Sequence, residues 1–83
     1  MPSLRLSDLP NGARSTVTAL SPHAPQADEA MLRRLAELGF LPGEPVEVLR
    51  RGPGGREPLA VQVGETLFAL RLAEAQCVEV AAP

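Results

Sequence analysis

Few side chains in this sequence can do chemistry. It holds one histidine, His23, and one cysteine, Cys77, in 83 residues. Nucleophilic or acid–base catalysis needs a base within reach of a nucleophile, or convergent carboxylates whose pKa values are driven apart. A single imidazole and a single thiol on different segments supply neither, so the chain reads as a non-enzyme. A structural zinc site asks for about four nitrogen or sulfur ligands, and His23 and Cys77 offer two such atoms on separate elements. No intrachain iron or zinc site and no required cofactor are expected. One metal reading stays open: His23, with Asp28 and Glu29 if the loop folds back on the helix they begin, meets a second molecule around a weakly bound divalent ion. Cys77 precedes Val78 and Val80 in an apolar stretch, which suits a buried structural thiol. With one cysteine no internal disulfide can form. A domain this small without such staples fits a reducing compartment.

Other chemistries are excluded by composition. Gly52-Pro53-Gly54-Gly55 resembles a phosphate loop only in its glycines, lacking the lysine and following Ser/Thr that grip phosphate and magnesium. All eight basic residues are arginine and the formal charge is −2, which gives no basic footprint for nucleic acid. Phe40 and Phe68 are the only aromatic residues, too few to form a base-stacking platform. Apolar residues make up 45% of the chain, enough for one compact core, and no apolar run nears the ~20 residues that span a bilayer. With no secretory leader pattern at the start, the expectation is one cytoplasmic domain over residues 1–83, not inserted in the membrane.

The elements that must position these residues follow from periodicity and punctuation. Arg14 to Leu20, with Thr16, Val17 and Thr18, predicts a strand. Pro22 and Pro25 bracket a loop. Asp28 then reads as a helix N-cap with Glu29 in the first turn, and Met31, Leu32, Leu35 and Leu38 recur as one apolar stripe. Gly39 closes the helix in the left-handed conformation, folding Phe40 back towards Leu35. In Leu41-Pro42-Gly43, Pro42 presets φ and Gly43 supplies the positive φ of a type II turn. Val46 to Arg50 predicts the next strand and Gly52 to Pro58 a flexible loop. Leu59, Val61 and Val63 alternate as a half-buried strand, and Gly64-Glu65 is a two-residue hairpin turn with glycine first, as in type II′. Thr66 to Arg71 returns as its partner. Leu72 to Ala75 makes one helical turn, and Val78 to Val80 ends the chain as a strand. The sum is about five short strands and one inserted helix, mainly β. An antiparallel sheet curled into a small SH3-like barrel covers both core and edges.

Four stretches in order resemble the FeoA family: Leu6-Ser7-Asp8-Leu9-Pro10-Asn11-Gly12, then Leu35-Ala36-Glu37-Leu38-Gly39-Phe40-Leu41-Pro42-Gly43, then Glu57 to Gly64, then Phe68 to Ala75 with its Ala69-Leu70-Arg71 and Glu74-Ala75. The resemblance implies an SH3-like barrel and a non-enzymatic accessory role in bacterial ferrous-iron uptake. The implied partner is FeoB, a membrane iron transporter with a GTP-binding domain, contacted from the cytoplasmic side. Gly39, Pro42, Gly43, Gly64, Arg71 and Glu74 fall on the motifs as shape-setting residues, Arg71 and Glu74 reading as a surface ion pair or, alternatively, as a pair that holds the final helical turn. Met31, Leu38, Phe40 and Leu41 are candidates for an exposed apolar patch at the helix end, and Arg50 and Arg51 for pairing with an acidic partner surface. The alternative is a self-associating or metal-bridged interaction module, a homo-oligomer without direct transporter contact.

Overall fold

The computed structural model describes residues 4–82, so the extreme ends of the expected 1–83 domain lie outside the described residues. In chain order the elements are β1 (Leu4–Arg5), a 3-10 turn (Leu6–Asp8), β2 (Arg14–Leu20), α1 (Glu29–Leu38), β3 (Pro45–Arg51), a second 3-10 turn (Pro53–Gly55), β4 (Leu59–Val63), β5 (Thr66–Leu70), α2 (Leu72–Ala75) and β6 (Val78–Val80). Six strands form one antiparallel sheet in the order β1-β6-β2-β3-β4-β5. This is one strand more than the sequence suggests. Leu4 and Arg5 lie opposite Val80 and Glu79, where the sequence shows only the brief alternation Leu4-Arg5-Leu6.

The sheet bends within β2. Its first half pairs with β3 through Arg14, Ser15 and Thr16, and its second half pairs with β6 through Val17 to Leu20. A register shift between Val17 and Ala19 marks the change of partner, and such irregularities increase local twist. A second shift, between Val48 and Arg50, turns Leu49 outward. The curled sheet encloses Leu6, Val17, Val48, Leu59, Val61 and Val78, and α1 closes one opening with Leu35 and Phe40, all essentially without solvent contact. Val61 and Val63 alternate inward as their spacing dictates, while Ala60 and Gln62 face out.

The glycine-rich stretch, read from composition as a flexible loop, contains a 3-10 turn, Pro53–Gly55. The Gly52 N–H donates to Pro58 O at 2.9 Å and the Gly55 N–H to Gly52 O at 2.9 Å, so the connection is closed by its own backbone bonds.

Candidate partner-binding surface

The corner after α1 is assembled by local chemistry. Asp28 Oδ1 accepts the Met31 N–H at 2.7 Å, capping the helix start. At the other end Gly39 takes φ +113°, where a side chain would be strained. The Gly39 N–H then reaches Ala36 O at 3.1 Å and the Phe40 N–H reaches Leu35 O at 3.1 Å, the paired bonds of a Schellman ending. The turn follows at once. Glu44 donates to Leu41 O at 3.0 Å with Gly43 at φ +93°, as a type II turn requires. The Gly43 N–H donates to Val17 O at 2.8 Å, and Val17 donates back to Glu44 O at 2.9 Å. The corner is therefore fastened to β2 and has little freedom to move.

This geometry divides the expected patch. Leu41 stands out from the corner with 46% of its surface exposed. Phe40 does the opposite. It has 0% exposure and its ring lies 6.0 Å from that of Phe68, tilted by 45°. The Schellman ending folds it into the core, so Phe40 cannot touch a partner while the domain is folded. Met31 and Leu38 are half-buried, packed against the core.

The arginines separate too. Arg50 is exposed. Arg51 is committed within the fold, its Nη2 donating to Ser7 O at 2.8 Å and Leu9 O at 2.7 Å. It anchors the 3-10 turn to β3, so this half-buried guanidinium already has partners within the fold. Leu41 and Arg50 also stand at opposite ends of β3, and the five residue steps from Pro45 to Arg50 extend about 17 Å. They do not form one patch.

Arg71 and Glu74 are not the surface ion pair their spacing suggests. Glu74 is 7% exposed and its Oε1 accepts the backbone N–H of Arg71 at 2.8 Å, capping α2. Its other oxygen lies 3.6 Å from Nη1 of Arg34 on α1. One carboxylate thus starts α2 and ties it to α1, and that link has no signal in local sequence. Glu74→Ala is expected to lower stability by about 2 kcal/mol, the cost of an unsatisfied N–H and a broken pair. Glu74→Gln, which keeps an acceptor, is expected to cost less, as measured by urea unfolding. The Gly64-Glu65 turn carries the expected positive φ, +57° at Gly64. A cap at Leu72 was missed: its N–H donates to Glu57 Oε1 at 2.6 Å, across 15 residues.

His23 lies exposed on the loop between β2 and α1. Among the described residues no three His, Cys, Asp or Glu side chains are grouped to share a metal ion, so His23, Asp28 and Glu29 do not form a site within the chain. Cys77 is buried, its Sγ 3.4 Å from Ala73 O and 3.5 Å from Met31 Sδ. Burial pushes its thiol pKa up, which keeps it protonated and unreactive. Among the described residues no helix is long and apolar enough to cross a membrane.

A family model described as the FeoA domain matches residues 4–82. The chain belongs to the FeoA family. FeoA proteins are non-catalytic accessory proteins, in keeping with the scarcity of reactive groups here. The FeoA of Stenotrophomonas maltophilia, solved in complex with zinc, is 46% identical, with a TM-score of 0.81 over 94% of this chain and 89% of that one. It is described as a prokaryotic SH3 domain protein and a candidate activating factor of ferrous iron transport. The FeoA protein of Chlorobium tepidum is 35% identical, with a TM-score of 0.78 over 93% of this chain and 68% of that one. The same barrel recurs in a manganese-dependent transcriptional repressor, at 26% identity and a TM-score of 0.80. There it spans 99% of this chain but 42% of the repressor. No match is found among curated proteins. The fold is thus an SH3-like barrel of mainly β structure, with α1 inserted and α2 as a short turn before the last strand.

Proposed function

We propose that this FeoA-family chain acts as a single-domain, non-enzymatic accessory protein of bacterial ferrous-iron uptake. It works in the cytoplasm and binds the cytoplasmic side of an FeoB-type transporter that carries a GTP-binding domain. The observation that carries this reading is the FeoA match over nearly the whole chain, residues 4–82. Iron is the transporter's cargo, and no metal-binding step is assigned to this chain, whose described residues assemble no ligand set.

The docking residue best supported by the geometry is Leu41. A large apolar side chain held in water on a corner fixed by backbone bonds loses little entropy when a partner covers it. Leu38 and Met31, half-buried beside the helix end, would border the contact. The test is calorimetric titration of the isolated cytoplasmic region of the partner transporter, with and without a GTP analogue. Micromolar or tighter binding is expected, and absence of binding in both states would remove the reading. Leu41→Glu is expected to weaken that binding at least ~10-fold, since a carboxylate would be buried in place of an anchor. Its circular dichroism should stay native. Unchanged affinity would exclude the corner.

A further inference from the structure

The two edges of the sheet are unlike each other. β1 at one edge spans Leu4–Arg5 among the described residues and carries a charge at Arg5, a feature that blunts an edge. β5 at the other edge is five residues long, and Thr66-Leu67-Phe68-Ala69-Leu70 carries neither a charge nor a proline to blunt it. The β4–β5 hairpin closes on Val63 and Thr66 around a two-residue turn. In such a hairpin the closing pair is hydrogen-bonded and the pattern alternates from there. Phe68 and Leu70 therefore spend their backbone groups on β4, while the N–H and C=O of Leu67 and Ala69 point away from it. Among the described residues no other backbone bond uses those four groups. Leu67 is also 64% exposed, more than Leu41 or Leu49.

We propose that β5 pairs antiparallel with β5 of a second copy of this chain, about a two-fold axis at Phe68. This register sets Leu67 opposite Ala69 of the second copy and Ala69 opposite its Leu67, each pair exchanging both backbone hydrogen bonds. The exposed Leu67 side chain then lies on the small Ala69 of the other copy, on the outward face. The same register sets Glu65 opposite Arg71 of the second copy at both ends, so charge complementarity selects it. A parallel pairing would instead place Glu65 beside Glu65 and Arg71 beside Arg71. The groove bordering Ala69 and Arg71 is also lined by Met31 and Arg34 of α1. Its charged lining is mixed, Arg34 and Arg71 with Asp28 and Glu74, and Arg34 is held by Glu74, so Arg71 is the guanidinium left to meet Glu65 of the incoming hairpin. The pairing ends at Arg71 because its N–H is already held by Glu74.

An edge-to-edge contact of this length is small, so the dimer is weak, half-formed on the order of 100 µM. Sedimentation equilibrium across concentration, with amide exchange followed by NMR, tests it. The expected result is a monomer–dimer equilibrium in which the Leu67 and Ala69 amides gain protection as concentration rises. Ala69→Pro removes a donor that faces away from β4, and is expected to weaken association at least ~10-fold with native circular dichroism. Glu65→Arg or Arg71→Glu alone should weaken association, and the two together should restore it. A chain that stays monomeric to about 1 mM overturns the pairing and leaves the edge to a strand of another protein. A dimer whose Leu67 and Ala69 amides exchange at one rate at every concentration also overturns it. So does a doubly swapped variant no better than the single ones.

Discussion

Phe40→Ala is expected to lower the free energy of unfolding by about 3–5 kcal/mol, the usual cost of emptying a buried aromatic site. The ring is fully buried against Phe68 where α1 seals the barrel. Its removal takes away transfer free energy, opens a cavity and loosens the packing of the Schellman ending on Leu35. Small domains hold about 5–15 kcal/mol of stability in total, so much of the margin would be lost and a large unfolded fraction is expected on mild warming. Phe40→Leu, which keeps most of the volume, should cost distinctly less. Urea unfolding of the three proteins measures the series. If Phe40→Ala unfolded at the wild-type midpoint, the ring would not be the core residue its burial indicates. Leu41→Glu, one residue along, should leave stability within about 0.5 kcal/mol of wild type. The pair of variants would then distinguish a loss of fold at Phe40 from a loss of binding at Leu41.

Arg51→Ala is the second large effect, about 2–4 kcal/mol. One guanidinium donates to two backbone carbonyls, Ser7 O and Leu9 O, and charge-assisted bonds of this kind exceed neutral ones. These carbonyls flank the segment that delivers Leu6 and Leu9 to the core. The loss should therefore appear as disordering of residues 4–10 in NMR spectra as well as a lower urea midpoint. Arg51→Lys should recover only part, because an ammonium lacks the planar fork. A variant of unchanged stability that failed to bind the transporter would return Arg51 to the partner surface.

Both cases show what the sequence carried and what it did not. The ends of α1 were readable because Asp28 and Gly39 act on neighbours within four residues, and β4 was readable because alternation at Leu59, Val61 and Val63 is local. The type II turn at Pro42-Gly43 was readable for the same reason. The inward turn of Phe40 was readable in part, because the Schellman ending folds it back towards Leu35, but its packing on Phe68 joins distant elements that no window around Phe40 contains. Arg51 bonds residues more than forty positions away, and Glu74 bonds Arg34 on another element. An arginine at the end of a strand looks the same in sequence whether it faces water or a distant carbonyl. The open edge at β5 was hidden because it is a property of strand order, known only once β4 is seen to be its sole neighbour.

The position of β6 between β1 and β2 sets a timetable for synthesis. Val80 lies opposite both Leu4 and Val17, so β1 and the far half of β2 wait for a strand made more than fifty residues later. β3, β4 and β5 follow one another in sequence and in space, and their short loops let them pair early. The segment carrying Leu4 and Leu6 stays unpaired until Val78 to Val80 emerge. Closure of this barrel is then a single late event, and an interrupted product ending before Val78 would leave β1 and the far half of β2 with no strand to join.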